Sequence, residues 1–245
     1  MAPGKCGRAL GKRGPTSYSS TKLGADNKML KFELAKRGDS PLKILCLGAH
    51  SDDIEIGCGG TILRLLEECD VEETYWVVFS AREQRAMEAK ESANLFLRGV
   101  RHKNVVIHSY RDGYFPYSGA EIKDHFEELK TTISPDVIFT HYRHDLHQDH
   151  RLISELTWNT FRDHMILEYE IPKYDGDLGT PNFFIHLADE TGKKKIEHIM
   201  KHFGSQDSRQ WFTEDTFLSL LTLRGMESNA PQKYAEAFYC RKVVL

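Results

Sequence analysis

"KILCLGAHSDDIEIGCGGTILRLLEEC", residues 43–69, decides the fold. Residues 43–49 (KILCLGA) read as a buried strand, and from Gly59 onward Ile62, Leu65, Leu66 and Cys69 recur at the three- and four-residue spacing of one helical face. A buried strand leading into an amphipathic helix is the unit of a parallel sheet covered by helices. Between them stand His50, Asp52, Asp53 and glycines at 57, 59 and 60. Two adjacent carboxylates repel, so their place beside an imidazole at the end of a strand calls for a cation. The glycines are expected to turn the backbone sharply into the helix, whose N-terminal amides would face the anionic site.

Working outward, apolar runs at 74–80 (TYWVVFS), 104–110 (NVVIHSY), 136–141 (DVIFTH), 165–171 (MILEYEI), 182–188 (NFFIHLA) and about 237–244 (AFYCRKVV) read as further strands. Segments of helical character separate them: 83–99, 119–133, one that follows HDLHQDHR (144–151), and two near 190–203 and 213–224. This alternation predicts an α/β fold, a doubly wound, mostly parallel, Rossmann-like sheet with helices on both faces. In the strand order 3-2-1-4-5, strands one and four are neighbours at the crevice where the winding reverses. Ligands bind at such crevices, so the loops after these two strands would face each other.

The bulk numbers set the frame. The 245 residues, 40% hydrophobic and 28% charged, suffice for a single large domain, expected over 41–245. Residues 1–38 carry nine Lys/Arg against Asp26 and Glu33 and few large apolar side chains. A basic, disordered tail over 1–40 is therefore expected; a transit peptide or a start upstream of Met29 fits the same composition. The remainder is acidic, which argues against nucleic acid as a partner. No apolar segment is long enough to span a bilayer. Five scattered cysteines without a C-x-x-C pair suggest neither a disulfide framework nor a thiolate cluster, so a reducing, cytoplasmic setting is expected. A homo-oligomer is compatible with all of this.

The second polar cluster, HYRHDLHQDHR (141–151), adds His141, His144, Asp145, His147, Asp149 and His150. Nitrogen and oxygen donors without thiolates suit a catalytic zinc, or iron(II), that keeps positions open for water. His50 and Asp53 lie three apart around the turn and can reach one point, and His150 supplies a third ligand from across the crevice. Asp52, beside a ligand without being one, is the natural base for a water whose pKa the metal lowers. His147 would stabilise the oxyanion and protonate a leaving nitrogen, with Asp149 holding that imidazole in its charged form.

Together, AHSDD…GCGGT and HDLHQDHR resemble the two motifs of the PIG-L/LmbE-like family of zinc-dependent N-acetylglucosaminyl deacetylases. The likeness runs from about Lys43 to the C-terminus through RAMEAKESA (85–93), PDVIFTH (135–141), KKKIEHIMKHFGSQ (193–206) and YAEAFYCR (234–241). It implies His50, Asp53 and His150 as metal ligands, Asp52 as general base, and His147 with Asp149 as the charged pair opposite. It also implies a substrate that is an N-acetylated amino sugar or its conjugate, releasing acetate and a free amine. Arg85 matches the family's R-x-x-E position, and Asp112 in YRDG follows strand three at the same end of the sheet, so both are candidates for sugar hydroxyls. Ser51 stands where the family usually has proline, and Ile54 where many members have glutamate.

Plainer readings stand beside these. Asp52 and Asp53 could simply cap a helix. The four histidines at 141, 144, 147 and 150 could be surface residues or a nonspecific metal-binding stretch. His141 and His144 receive no role, Arg85 would serve equally as a surface ion pair, and Asp112 as a turn residue. Most of Trp158, Trp211 and YFPY (114–117) are expected to pack rather than stack on sugar. GCGGT is not a G-x-G-x-x-G loop, and Cys58 reads as a small filler. Functional rivals are a metal-dependent amidase on a non-sugar acyl amine and a noncatalytic sugar-binding or metal-buffering relative.

Overall fold

The structure, a computed structural model, describes residues 40–244 together with Met1 and Phe32. The strands are β1 Leu42–His50, β2 Val71–Ser80, β3 His102–Ile107, β4 Val137–His141, β5 Met165–Tyr169, β6 Phe183–Leu187 and β7 Tyr234–Cys240. The helices are α1 Asp53–Glu68, α2 Glu83–Phe96, α3 Gly119–Thr132, α4 Gln148–Thr160, α5 Asp189–His202 and α6 Glu214–Glu227. One sheet runs β3-β2-β1-β4-β5-β7-β6. The first five strands have the expected order and are parallel; β7 then pairs antiparallel with both β5 and β6, which makes the sheet mixed.

Side-chain alternation divides the strands between two cores. Ile44, Cys46, Trp76, Val78, Val137, Phe139 and Leu167 face one side, where they meet Ile62 of α1, Phe96 of α2, Ile196 of α5 and Phe217 of α6. Leu45, Leu47, Val77, Phe79, Ile138 and Ile166 face the other, against Ile122 and Phe126 of α3 and Ile153 of α4. The period of two in the strand sequences thus puts helices on both faces. Both crossovers that matter here, β1 to α1 and β4 to α4, leave their loops at the carboxyl ends of adjacent strands.

The helix α1 starts at Asp53, so the expectation of a glycine-rich turn ending near Gly59 is corrected: Gly57, Gly59 and Gly60 lie inside the helix. Each glycine lowers helix propensity by about 1 kcal/mol relative to alanine, and close packing supplies the reason for them. A Cβ at Gly57 would come within 2.1 Å of the Tyr169 ring, at Gly59 within 2.7 Å of Phe96, and at Gly60 within 2.5 Å of Leu187. These contacts pack α1 closely against β5, α2 and β6. Other boundaries move less: β2 begins at Val71, β3 ends at Ile107, and β7 is centred three or four residues earlier than expected.

The tail expected over residues 1–40, with Cys6, lies outside the described residues apart from Met1, Phe32 and Ser40. Among the described residues, no helix is long and apolar enough to cross a membrane.

Candidate metal centre

His50 is the last residue of β1, Asp53 the first of α1, and His150 sits in the first turn of α4 beyond β4. The order β1-β4 brings them together. His50 Nδ1 lies 3.1 Å from His150 Nε2 and 3.4 Å from Asp53 Oδ2, and His150 Nε2 lies 3.6 Å from Asp53 Oδ2. Zinc bound at about 2.0–2.2 Å by nitrogen and oxygen in a tetrahedron places its donors about 3.3–3.5 Å apart. These three atoms therefore fit a single divalent ion with one face left open.

Each imidazole is aimed by a carboxylate behind it, the arrangement that fixes tautomer and ring orientation in metal sites. Asp112 Oδ1 lies 3.0 Å and Asp149 Oδ2 3.4 Å from His50 Nε2, which leaves Nδ1 to face the shared point. Asp145 Oδ2 lies 2.9 Å from His150 Nδ1, leaving Nε2 to do the same, and Lys173 Nζ donates to that oxygen at 2.9 Å. The Asp53 carboxylate accepts the His50 amide at 2.6 Å.

Sequence reading missed three of these supports. Asp145 and Lys173 back His150, and His141, at the end of β4, lies 3.2 Å from Asp53 Oδ2. The His141 Nε2 accepts the Ala49 amide at 2.9 Å, and its ring stacks on His150 with centroids 3.9 Å apart. It thereby ties the end of β1 to the end of β4, beyond the last paired residues of that ladder at Cys46 and Phe139.

Asp52 occupies the N-cap position of α1 without making a side-chain cap bond. Its carboxylate is buried, and Oδ1 accepts from Arg85 Nη2 at 3.2 Å. Burial and then the Asp53 charge push its pKa up to about 6, against the opposing pull of Arg85 and His50. Burial would also raise Asp53, but the His150 and His141 rings hold it well below the usual carboxylate range. Burial works against a charged His50, yet its hydrogen bonds to Asp112, Asp149 and Asp53 raise it well above the ordinary imidazole value. Burial and the neighbouring His141 push His150 down to about 4.

The expected pairing of His147 with Asp149 is corrected. His147 is the N-cap of α4, and its Nδ1 accepts the Asp149 backbone amide at 3.3 Å. The Asp149 carboxylate turns away, accepting from Gly113 N at 2.7 Å and Phe115 N at 3.1 Å besides His50. Positions two apart in a helical turn do not face each other. The expected charge is corrected with it: burial and then His50 lower the His147 pKa, outweighing Asp149. A neutral His147 whose Nδ1 accepts a hydrogen bond carries its proton on Nε2. Its ring stands 4.9 Å from that of His50 and 4.6 Å from that of His150.

Arg85 and Asp112 both reach the site, each with a protein partner. Arg85 Nε donates to Ser51 Oγ at 2.9 Å, so the serine hydroxyl supplies an acceptor beside the Asp52 carboxylate. The bond from His50 holds Asp112 at a pKa of about 2. Cys58 is buried, its thiol donating to Ile54 O, with its pKa raised by burial. That bears out a filler. His144 packs edge-on against Tyr142.

Residues 45–161 match the family described as PIG-L: GlcNAc-PI de-N-acetylase. Among solved structures, the N,N'-diacetylchitobiose deacetylase of Pyrococcus horikoshii is similar at 23% identity and TM-score 0.63, covering 81% of this chain and 83% of that one. The 4-carboxy-2-hydroxymuconate hydratase GalB of Pseudomonas putida follows at 15% identity and TM-score 0.61, covering 83% and 98%. The zinc-inhibited form of the teicoplanin deacetylase Orf2 is similar at 11% identity and TM-score 0.60, covering 81% and 97%. At these identities the likeness is one of fold. The family match falls on both motif loops, the one after β1 and the one after β4.

Proposed function

We propose that this protein is a divalent-metal-dependent hydrolase, with zinc as the metal and iron(II) the alternative, that removes an N-acetyl group from an amino sugar or its conjugate. The observation that carries the reading is the convergence of His50 Nδ1, Asp53 Oδ2 and His150 Nε2 within 3.1–3.6 Å, beside an Asp52 carboxylate that caps nothing. The family match and the deacetylase neighbours supply the substrate class.

His50, Asp53 and His150 would hold the ion, oriented by Asp112, Asp149 and Asp145. When bound, it supplies Lewis acidity to the acyl oxygen and brings the pKa of water down toward 7. Asp52 takes the proton of the attacking water: with a pKa near 6 it is ionised at neutral pH and still basic enough to accept. Arg85 keeps that carboxylate in place. The neutral His147 donates its Nε2–H to the oxyanion. As the carbon–nitrogen bond breaks, the proton held by Asp52 passes to the leaving nitrogen, so the products are acetate and a free amine. One carboxyl group thus serves as base and then as acid.

The same fold also houses a hydratase, so release of acetate with an equal amount of primary amine is the discriminating readout. Zinc-loaded protein should release both from N-acetylated sugars. Asp52→Asn should keep its metal by elemental analysis while turnover falls by about 10²–10⁴-fold. Fully loaded protein that is inert on a panel of N-acetyl sugars would sink the activity, and an active Asp52→Asn would sink the base.

A further inference from the structure

The chain between β5 and β6 passes beside the second motif loop and is fastened at two points. At one, Lys173 Nζ donates to Asp145 Oδ2 at 2.9 Å and to the two oxygens of Asp177 at 2.7 and 2.6 Å. Asp177 Oδ2 in turn accepts the Leu146 amide at 2.7 Å. At the other, Gly179 N donates to Glu170 Oε1 at 3.3 Å, and Gly179 O accepts from Arg224 Nη2 at 3.2 Å. Gly176, at φ +62°, lets the chain reverse so that Lys173 and Asp177 meet. The ammonium therefore lies between two carboxylates, and all three side chains are at most 10% exposed.

The importance of this ion pair lies in what Asp145 holds. Its Oδ2 is 2.9 Å from His150 Nδ1, and its Oδ1 accepts the His147 amide at 2.8 Å. One carboxylate thus aims a ligand and sets the start of α4, where His147 stands. The strap of residues 171–179 grips that carboxylate and the next amide along the chain, Leu146, at once. Without the ammonium, Asp145 and Asp177 would be left as neighbouring carboxylates largely withdrawn from water, where their repulsion is poorly screened. The group behind a metal-binding imidazole is worth about 10–100-fold in metal affinity, so a displaced Asp145 has a measurable consequence at His150.

We propose that Lys173 and Asp177 are positioning residues of the metal centre: they clasp the strap onto the 145–147 loop, and the closed clasp gives His150 its aim. Zinc binding and closure of the clasp are then coupled, each favouring the other by the same factor. This rests on the metal-binding half of the deacetylase reading and is independent of the substrate.

The test measures zinc affinity by competition with a chromogenic chelator, together with the Tm of the metal-free protein and hydrogen exchange of the Leu146 amide. Lys173→Met should weaken zinc by about 10–100-fold and Asp177→Ala by about tenfold. Lys173→Met/Asp177→Asn, in which no second carboxylate faces Asp145, should bind zinc more tightly than Lys173→Met alone, although it has lost more contacts. In the wild type, zinc should slow exchange at Leu146 by about tenfold, the factor lost in Asp177→Ala. A clasp that serves packing alone would lower the metal-free Tm and leave zinc affinity and Leu146 exchange unmoved, which overturns the proposal. Losses that simply add in the double variant overturn it as well. Wild-type protein that takes up no zinc removes the metal centre and the clasp together. Zinc binding that follows these ratios without acetate release from any N-acetyl sugar leaves the clasp standing and removes the deacetylase.

Discussion

Two buried clusters of charge adjoin α1, one at its N-terminus and one against residues 56–61, and they are built differently. Where α1 meets α5, α6 and β7, Lys195 pairs with Glu236 at 2.6 Å, and Arg224 pairs with Glu170 at 2.8 Å, all four side chains nearly inaccessible. Every charged atom there is matched. Lys195 also donates to Ile56 O, Glu236 accepts the amides of Gly60 and Thr61, and Glu170 accepts from Tyr239 as well as from Arg224. Two cations balance the two buried carboxylates, and Arg224 reaches the half-exposed Glu227 as well, at 2.7 Å. At the metal centre, the five carboxylates of Asp52, Asp53, Asp112, Asp145 and Asp149 have Arg85 and Lys173 as their Lys and Arg partners, with Lys173 shared with Asp177, and otherwise face the imidazoles of His50, His141 and His150. Balanced, saturated pairs lock a helix to a sheet; a surplus of negative charge with converging lone pairs asks for a cation from outside.

The largest effect expected from this contrast comes from His50→Ala. Wild-type protein should be stabilised by zinc, by about 4 kcal/mol at a thousandfold excess over its Kd. The substitution should abolish both that response and catalysis, with bound metal falling to background in elemental analysis. A variant that still gains Tm with zinc would mean that the three donor atoms do not share an ion. Lys195→Met sharpens the other side. It leaves Glu236 buried without its counter-charge, at a cost of about 3–5 kcal/mol in chemical denaturation, while the zinc-induced shift persists. Loss of the zinc response in Lys195→Met would erase the distinction between the clusters.

The same contrast explains what could be read in the chain beforehand. The adjacency of β1 and β4 was legible because buried parallel strands are apolar runs and the winding rule sets their order. His50, Asp52, Asp53 and His150 were legible because each lies within three residues of a strand or helix end facing the crevice. The start of α1 was not, since its glycines answer to Tyr169, Phe96 and Leu187, which arrive from distant elements. Nor were Asp145 and Lys173, whose partnership spans 28 residues of chain. His141 carried one usable signal, as a polar residue ending a wholly buried strand. Asp149 misled because it stands two residues from His147 in sequence, while the first turn of α4 sends it to the loop at 113–115.

The smallest effect concerns Ser51. Its buried hydroxyl accepts from Arg85 Nε, while Nη2 of the same guanidinium reaches Asp52. Ser51→Ala removes one of the two anchors. The side chain of Arg85 is 30% exposed, so water can satisfy the freed Nε and stability should change by less than about 1 kcal/mol. Catalysis should register more. A guanidinium held less closely stabilises the Asp52 carboxylate less, and Arg85 is among the groups that lower that pKa. The pKa should therefore rise, and because the reaction needs Asp52 ionised, the acid limb of kcat against pH should move to higher pH. At neutral pH this gives about a two- to fivefold loss. Ser51→Thr, which retains the acceptor, should restore the wild-type limb. An acid limb unmoved by Ser51→Ala would reduce the hydrogen bond to packing and leave Arg85 without a hold on the base.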